Sequence, residues 1–158
     1  MSRVFDIEAE EDRWWAAGEA RRFAAALGFG RKDQARLAVC VAELASNAAR
    51  HAGGGRIELT EIVGQAPGCL LRAVDEGPGI AAIGEALRDG FSEGRWLTPD
   101  VPSRDRRGLG VGLGAVCRLM SEVRVLERAG GGLVIEAVLR RAPGPVLCDE
   151  EDTKWRKT

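Results

Sequence analysis

The chain has 158 residues, which is long enough for one domain with a substantial hydrophobic core. Apolar residues make up 45% of it and charged residues 30%, a composition typical of a soluble globular protein. The net charge of −1 argues against general attraction to nucleic acid or acidic membranes, and no apolar run reaches the roughly 18–20 residues of a membrane span. The acidic residues 1–12 contain no apolar signal core. We therefore expect no nucleic-acid partner and no membrane partner.

The cysteines and histidines indicate the compartment and limit the metal chemistry. Four cysteines stand at positions 40, 69, 117 and 148, without CxxC spacing. Because a chain with this much apolar material does not need a disulfide framework, we expect reduced thiols in a cytoplasmic protein. His51 is the one histidine, which excludes a site with several histidine ligands. A zinc site built from cysteines remains a minor alternative.

Hydrophobic periodicity predicts the first half of the chain as a strand followed by two helices. Residues 3–9 alternate weakly and predict the strand. Residues 31–55 predict the second helix, with Gly53–Gly55 at its end. The first helix is predicted to end at Gly28, with the Trp14–Trp15 pair packed in the core or against the helix. Its apolar stripe has helical spacing: Ala16, Ala20, Phe23 and Leu27.

The second half predicts two hairpins separated by a loop and a third helix. Strands are expected at residues 56–64 and 69–77, and again at 122–129 and 132–141, with a helix at 113–122. Residues 78–107 lack sustained periodicity and predict a long loop, which could contain a short helix at 81–88. Hairpins joined to helices predict an α+β fold, a two-layer sandwich with about three helices on one face of a mixed, mostly antiparallel sheet. The domain would span residues 1–142, and residues 143–158 would form a poorly ordered tail.

A glycine-rich stretch, RGLGVGLGAVCRLM, precedes the predicted third helix. It places glycines at every second position: Gly108, Gly110, Gly112 and Gly114. Glycine is unfavourable in a helix, but alternating glycines at a helix N-terminus expose backbone N–H groups that can bind phosphate. A flexible loop that enters a helix explains the stretch equally well. A Rossmann site is disfavoured because the preceding residues 101–107 are too polar for a buried strand.

The predicted second helix carries an apolar and a polar stripe side by side. The apolar stripe, which should face the core, contains Leu37, Val41, Leu44 and Ala48. The polar stripe contains Glu43, Asn47, Arg50 and His51. A carboxylate beside an amide can hold Mg²⁺, and a carboxylate can instead act as a general base. Taken alone, the polar stripe is more commonly a solvated helix face.

A third candidate segment, VDEGPGI, follows an apolar strand. Asp75 lies at the end of that strand, and Gly77 and Gly79 lie in the turn after it. The carboxylate can accept a hydrogen bond from an exocyclic amine, and the glycines allow a flat ring to approach the backbone. The alternative is an ordinary Asp–Gly turn.

In this order, ELxxNAxxH, DxGxGI and GLGxGLG resemble the nucleotide-binding boxes of the GHKL, or Bergerat-fold, ATP-binding superfamily. That superfamily includes histidine kinases, gyrase, Hsp90-type ATPases and small anti-sigma serine kinases. The resemblance covers about residues 5–140. The chain is too short for a histidine-kinase dimerisation domain. Residues 107–125, RGLGVGLGAVCRLMSEVRV, most resemble the RsbT-type switch kinases of stressosome pathways.

The resemblance implies ATP and Mg²⁺ as cofactors and gives each motif a role. Glu43 would activate the attacking serine or threonine hydroxyl, Asn47 would hold Mg²⁺, and His51 matches the same box. Asp75 would bind the adenine amine, with Gly77 and Gly79 at the base. The phosphates would be lined by Gly108, Gly110, Gly112, Leu113 and Gly114.

Two further assignments depend on the same resemblance. Residues 80–107 would form a lid over the nucleotide, from which Arg106 or Arg107 could reach the γ-phosphate. Leu133 stands where family members often have a threonine that helps to hold the nucleotide, which predicts a lower nucleotide affinity rather than a different fold. His51 has an alternative as a helix-end histidine satisfied by the backbone.

Three functions are compatible with these residues. The first is an ATP-dependent serine/threonine protein kinase of a bacterial partner-switching pathway that phosphorylates a STAS-domain antagonist. The second is a nucleotide-gated binding module that sequesters a sigma factor or activates a phosphatase. The third, a fold that has lost ATP, is disfavoured by the retained Asn47 and Asp75, and Glu43 favours the first function over the second. A monomer and a homodimer both remain open.

Overall fold

The computed structural model describes residues 1–78, 91–92, 95–96, 112–128 and 131–141, the second and third of these ranges as backbone only. The helices among them are α1 (Asp12–Ala26), α2 (Arg31–Ala52) and α3 (Gly112–Leu119). The strands are β1 (Ser2–Ile7), β2 (Gly55–Ile62), β3 (Gly68–Val74), β4 (Phe91–Ser92), β5 (Arg95–Trp96), β6 (Glu122–Glu127) and β7 (Leu133–Arg140).

Five strands form one sheet in the order β1-β2-β3-β7-β6, and every neighbouring pair in it is antiparallel. One core-facing row crosses the whole sheet, in the order Phe5, Ile57, Ala73, Ile135 and Val125. The α+β sandwich predicted from the sequence is confirmed. The sheet contains no parallel pair among the described strands, so the expected mixed character is absent there.

The helices cover one face of the sheet because each carries a buried apolar stripe. All four predicted core positions of α2, from Leu37 to Ala48, are at most 4% exposed. Small side chains at Ala16 and Ala20, both fully buried, let α1 pack closely on α2. From α3, Leu113 and Val116 enter the same core.

The opposite face of the sheet carries charged side chains instead. Arg72 on β3 lies between two carboxylates on neighbouring strands: its Nη1 is 3.0 Å from Glu58 Oε2, and its Nε is 3.5 Å from Glu136 Oε1. Such cross-strand pairs are typical of an antiparallel sheet that packs on one face only. The charged pairs therefore mark this face of the sheet as the one that does not pack against the helices.

The placement of the tryptophan pair was predicted wrongly. Trp14 is 58% exposed and Trp15 is 54% exposed. The reason is the helical angle, because both residues point away from the stripe that contains Ala16 and Ala20. The Trp15 ring still makes a T-shaped contact with Phe5, with ring centroids 5.3 Å apart.

Several predicted boundaries shift or cannot be followed. The third helix ends at Leu119 rather than at residue 122, because Ser121 donates a backbone hydrogen bond to Val138 in the sheet. Within the predicted loop, β4 and β5 form a short antiparallel ladder. The suggested helix at 81–88 and the tail at 143–158 lie outside the described residues. No described helix is long and apolar enough to cross a membrane.

Candidate active site

The C-terminal end of α2 is packed tightly against the loop that follows β3. The helix ends at Gly53 in the left-handed conformation, with φ of 73°, and the N–H of Gly54 donates to the Ala48 carbonyl. Gly77 lies against the last turn, where an added Cβ would be 2.7 Å from the Ala52 Cβ. Gly77 is therefore required for close packing on α2, and this packing brings the Asp75 segment to the end of the helix that carries Glu43 and Asn47.

Glu43 is a buried carboxylate at the junction of the helices, with 5% of its surface exposed. The backbone of Gly112, the first residue of α3, is hydrogen-bonded to it. The structure thus brings together the predicted general base and the start of the glycine-rich helix, two motifs far apart in the chain.

The environment of Glu43 makes its charged form less favourable than that of an exposed carboxylate. Burial raises the pKa of this carboxyl, and the charge of Arg50, the hydrogen bond from Gly112 and the charge of Arg13 only partly oppose that rise. Its Oε1 is buried and has no hydrogen-bond partner among the residues that the structure describes. Because an unsatisfied buried acceptor is costly, a hydroxyl donor, a water or a cation fits this position.

Asp75 is held in place through one carboxylate oxygen. Its Oδ1 accepts hydrogen bonds from the N–H groups of Gly77, at 2.9 Å, and Leu133, at 3.3 Å. The Arg128 guanidinium donates to the Asp75 carbonyl at 3.0 Å. No donor from the described part of the chain bonds to Oδ2. The second oxygen is thus available to a ligand amine.

Leu133 contacts the site through its backbone. Its side chain is 4% exposed and belongs to the core, while its N–H and carbonyl both bond to Asp75. Leucine supplies no hydroxyl at this position, and the lower nucleotide affinity predicted from the sequence stays a prediction.

The other predicted residues differ in what they can contribute. Asn47 is half-buried and its side chain makes no hydrogen bond within the described ranges, so its amide is free to hold a cation or its water shell. His51 is exposed on the last turn of α2. Leu113 has a buried side chain, so only its backbone can face phosphates. Gly112 begins α3 with φ of 58°, and Gly114 is buried in the same helix.

Part of the predicted site cannot be placed. The residues that lie outside the described ranges are Gly79, Gly108, Gly110, Arg106, Arg107 and most of the expected lid, residues 80–107. Within the described residues no group of three or more His, Cys, Asp or Glu side chains could hold a metal ion. Cys40, Cys69 and Cys117 are not in disulfide bonds, and burial raises the pKa of Cys40 and of Cys69 to about 12. Cys148 lies outside the described residues.

A large cavity adjoins the site on its Asp75 side. It has a volume of about 600 Å³ and is lined by charged residues of the open sheet face, including Arg56, Glu58 and Arg72. Asp75 lines it, but Glu43 and Asn47 do not. We therefore place the candidate site at the junction of α2 and α3 and not in this cavity.

Three supporting residues were not predicted from the sequence. Gly132 has φ of 92°, and any Cβ there would overlap the Asp75 carbonyl. Arg128 bonds to that same carbonyl. Arg13 on α1 bonds to Ser46 of α2 at 3.4 Å and acts electrostatically on Glu43. The glycine turn at 130–132 was a visible signal for Gly132, but the two arginines act through tertiary contacts without a local motif.

Comparison with known proteins assigns the family. Residues 11–139 match the family described as "Histidine kinase-like ATPase domain". The chain belongs to this family. It is 38% identical over 119 residues to the serine/threonine-protein kinase RsbT of Bacillus subtilis (strain 168), an alignment that covers 75% of this chain and 80% of RsbT. The GHKL resemblance and the similarity to RsbT-type proteins are thereby confirmed.

Solved structures of sensor kinases are also similar. The mycobacterial sensor histidine kinase MprB is 19% identical, with a TM-score of 0.49 over 91% of this chain and 100% of that chain. The histidine kinase domain of the E. coli osmosensor EnvZ is 21% identical, with a TM-score of 0.44 over 90% of this chain and 92% of that chain.

Proposed function

We propose that the chain is an Mg-ATP-dependent serine/threonine protein kinase of a bacterial partner-switching pathway, and that its substrate is a STAS-domain antagonist protein. The observation that carries the proposal is the buried Glu43 carboxylate with an unsatisfied oxygen, next to Asn47 and the start of α3. The similarity to the kinase RsbT supports this choice. The free, buried thiols of Cys40 and Cys69 support a cytoplasmic location.

Glu43 is the general base in this proposal. The substrate hydroxyl donates to Oε1 and transfers its proton to that oxygen while the hydroxyl oxygen bonds to the γ-phosphorus and the bond to ADP breaks. A carboxyl with a raised pKa accepts this proton more readily than an ordinary surface glutamate does. When bound, Mg-ATP supplies the phosphoryl group and Mg²⁺ offsets the charge that develops on it.

The remaining residues bind and orient the nucleotide. Asp75 accepts the exocyclic amine of adenine on Oδ2, while Gly77 and Leu133 fix the carboxylate through Oδ1. Asn47 would hold Mg²⁺ through its side-chain oxygen. The N-terminus of α3, at Gly112 and Leu113, offers backbone N–H groups to the phosphates.

A second function, a nucleotide-gated binding module that sequesters a sigma factor or activates a phosphatase, is favoured by Leu133. Leucine supplies no hydroxyl to help hold the nucleotide, and a weakly held nucleotide fits a gated binding module better than an efficient kinase.

The deciding experiment incubates the purified chain with Mg²⁺, γ-labelled ATP and the STAS-domain proteins encoded beside its gene. Label on a serine or threonine of one of them, located by mass spectrometry, would support the kinase and identify its substrate. No label on any of them, with ATP binding confirmed by calorimetry, would contradict the kinase and favour the binding module.

A further inference from the structure

A groove lies between the connection from α1 to α2 and the turn from β2 to β3. It has a volume of about 210 Å³. Its apolar side chains are Leu27, Phe29, Ile62, Val63 and Pro67. Because β3 begins at this groove and ends at the Asp75 segment, the groove is at the opposite end of the sheet from the candidate active site. None of its residues has a role in the proposed phosphoryl transfer.

The volume and lining of the groove suit aliphatic side chains of a polypeptide. At about 210 Å³ it is smaller than the roughly 300–1,000 Å³ of pockets that hold cofactors and other small ligands. Val63 at its rim is 77% exposed, and Leu27 is only partly buried. Covering these side chains with another apolar group removes them from water, which is favourable.

The chain leaves the described part of the fold at this groove. The Arg141 N–H donates to the Pro67 carbonyl at 2.9 Å, and the Arg141 guanidinium donates to the Leu27 carbonyl at 2.8 Å. Arg141 is thus bonded to both walls of the groove, and it lines the groove as well. Residues 142–158 follow directly, so this segment begins at the groove.

The sequence after Arg141, APGPVLCDEED, carries an apolar pair within reach of the groove. Pro143 and Pro145 cannot donate backbone hydrogen bonds to a sheet, and they favour a turn. Val146 and Leu147 come next and are the first large aliphatic residues after β7. Since a chain spans at most about 3.3–3.6 Å per residue, this pair can be no farther than about 20 Å from Arg141 and can fold back onto the groove.

The N-terminus of α2, next to the groove, is electropositive. Its N-cap is Gly30, which has no side chain to accept hydrogen bonds from the first backbone N–H groups. The first two residues of the helix, Arg31 and Lys32, are exposed cations, which the helix dipole disfavours at this end. Neither cation has a carboxylate partner in the described part of the chain. The acidic run DEED, residues 149–152, stands shortly after the apolar pair and carries the opposite charge.

We propose that residues 142–152 dock on the chain's own fold. The apolar pair of this segment fills the groove, and its acidic run lies against Arg31 and Lys32 at the start of α2. The docked segment fastens the end of β7 to the α1–α2 connection, in place of the poorly ordered tail expected from the sequence. Docking of this kind does not depend on nucleotide or on phosphoryl transfer.

The test is disulfide trapping in the full chain. Val63→Cys and Leu147→Cys are combined with Cys117→Ser and Cys148→Ser, because the remaining thiols are buried. A disulfide needs Cα atoms about 4.4–6.8 Å apart, so a mild oxidant should link positions 63 and 147 within one chain. In the control, Leu126→Cys replaces Val63→Cys, since Leu126 is 48% exposed and pairs with the start of β7, away from the groove.

Linkage to position 63 should be at least about tenfold faster than linkage to position 126, because docking raises the effective concentration of the segment at the groove. Mass spectrometry without reductant, at low protein concentration, measures the two rates within single chains. Equal rates at the two positions would overturn the docking.

Charge variants test the placement of the acidic run. Arg31→Gln with Lys32→Gln should slow the linkage about two- to fivefold at low salt, the effect expected of exposed ion pairs, and should have little effect at about 1 M salt. The matched control, Arg21→Gln with Arg22→Gln, removes two exposed cations from α1 and should leave the rate unchanged. A rate unaffected by the loss of Arg31 and Lys32 would overturn the contact between the acidic run and α2.

Discussion

Asp75 and Leu133 are bonded to each other twice. The Asp75 N–H donates to the Leu133 carbonyl at 3.0 Å, and the Leu133 N–H donates back to Asp75 Oδ1 at 3.3 Å. The pair joins the end of β3 to the start of β7 and fixes the carboxylate that we assign to adenine. Since both bonds involve only the backbone of residue 133, a leucine there preserves the geometry of Asp75 even though it supplies no hydroxyl.

Asp75→Asn should weaken ATP binding about tenfold or more, because hydrogen bonds to a charged acceptor contribute about 1.5–3 kcal/mol. The asparagine oxygen can still accept the hydrogen bond from the Gly77 N–H. In that orientation the amide NH₂ group faces the adenine amine, and because both groups are donors they cannot form a hydrogen bond. Calorimetric titration with ATP measures the change. The matched control is Glu76→Gln, whose side chain is 86% exposed. Equal affinity of wild type and Asp75→Asn would show that adenine is not bound there.

Leu133→Thr should tighten ATP binding a few-fold by restoring the hydroxyl. It should also destabilise the fold by about 1–3 kcal/mol, because a core side chain is shortened and a polar group is buried. ATP titration and thermal unfolding measure the two effects separately. Leu133→Val shortens the same side chain without a hydroxyl, so it should lower stability and leave the affinity unchanged. Identical ATP affinities for Leu133→Thr and Leu133→Val would show that the side chain at position 133 does not help to hold the nucleotide.

Gly77→Ala should destabilise the protein by about 1–3 kcal/mol, since its Cβ would be 2.7 Å from the Ala52 Cβ. The Asp75 segment should shift with it and weaken ATP binding. Combining it with Ala52→Gly removes the nearest clash and should recover part of both losses, which chemical denaturation and ATP titration can measure. Gly30→Ala is the control, because nothing lies within 4 Å of a Cβ there. A Gly77→Ala protein as stable as this control would contradict the packing described here.

Glu43→Gln should stabilise the fold at neutral pH. Burial raises the pKa of the Glu43 carboxyl in the folded protein, so the folded state binds this proton more tightly than the unfolded state does. The contribution of Glu43 to stability is therefore fully present below its unfolded pKa and is lost as pH rises through the folded pKa. The melting temperature of the variant should exceed that of wild type at neutral pH, with the difference shrinking as pH falls into the ordinary carboxyl range. A melting-temperature difference that stays the same at every pH would contradict the raised pKa of Glu43 as its cause.

Periodic features could be predicted from the sequence, and contacts between distant segments could not. The stripe from Leu37 to Ala48 was predicted because a 3.6-residue period directly reports which helix face is buried. The exposed Trp14 and Trp15 were misplaced because residue type was given more weight than helical angle. The role of Gly77 required the structure, because its neighbour Ala52 belongs to another element.

Each motif of the candidate site is a short local pattern and could be recognised in the sequence. The residues that hold these motifs in place lie in other elements and could not. Glu43 and Asp75 stand out within short patterns, whereas Arg128 and Arg13 reach the site from elements that carry no motif. Nothing in the sequence near either arginine marks it, because its role depends on where the hairpin and α1 pack.

The most direct measurement of the central claim is the single-turnover rate of phosphoryl transfer by wild type and Glu43→Gln at saturating ATP. Glutamine keeps the size of the side chain but cannot accept the hydroxyl proton. Transfer should fall about 10²–10⁴-fold, the usual contribution of a general base, while ATP affinity stays the same. The surface variant Glu61→Gln should transfer at the wild-type rate. Transfer by Glu43→Gln at that rate would contradict the assignment of Glu43 as the base.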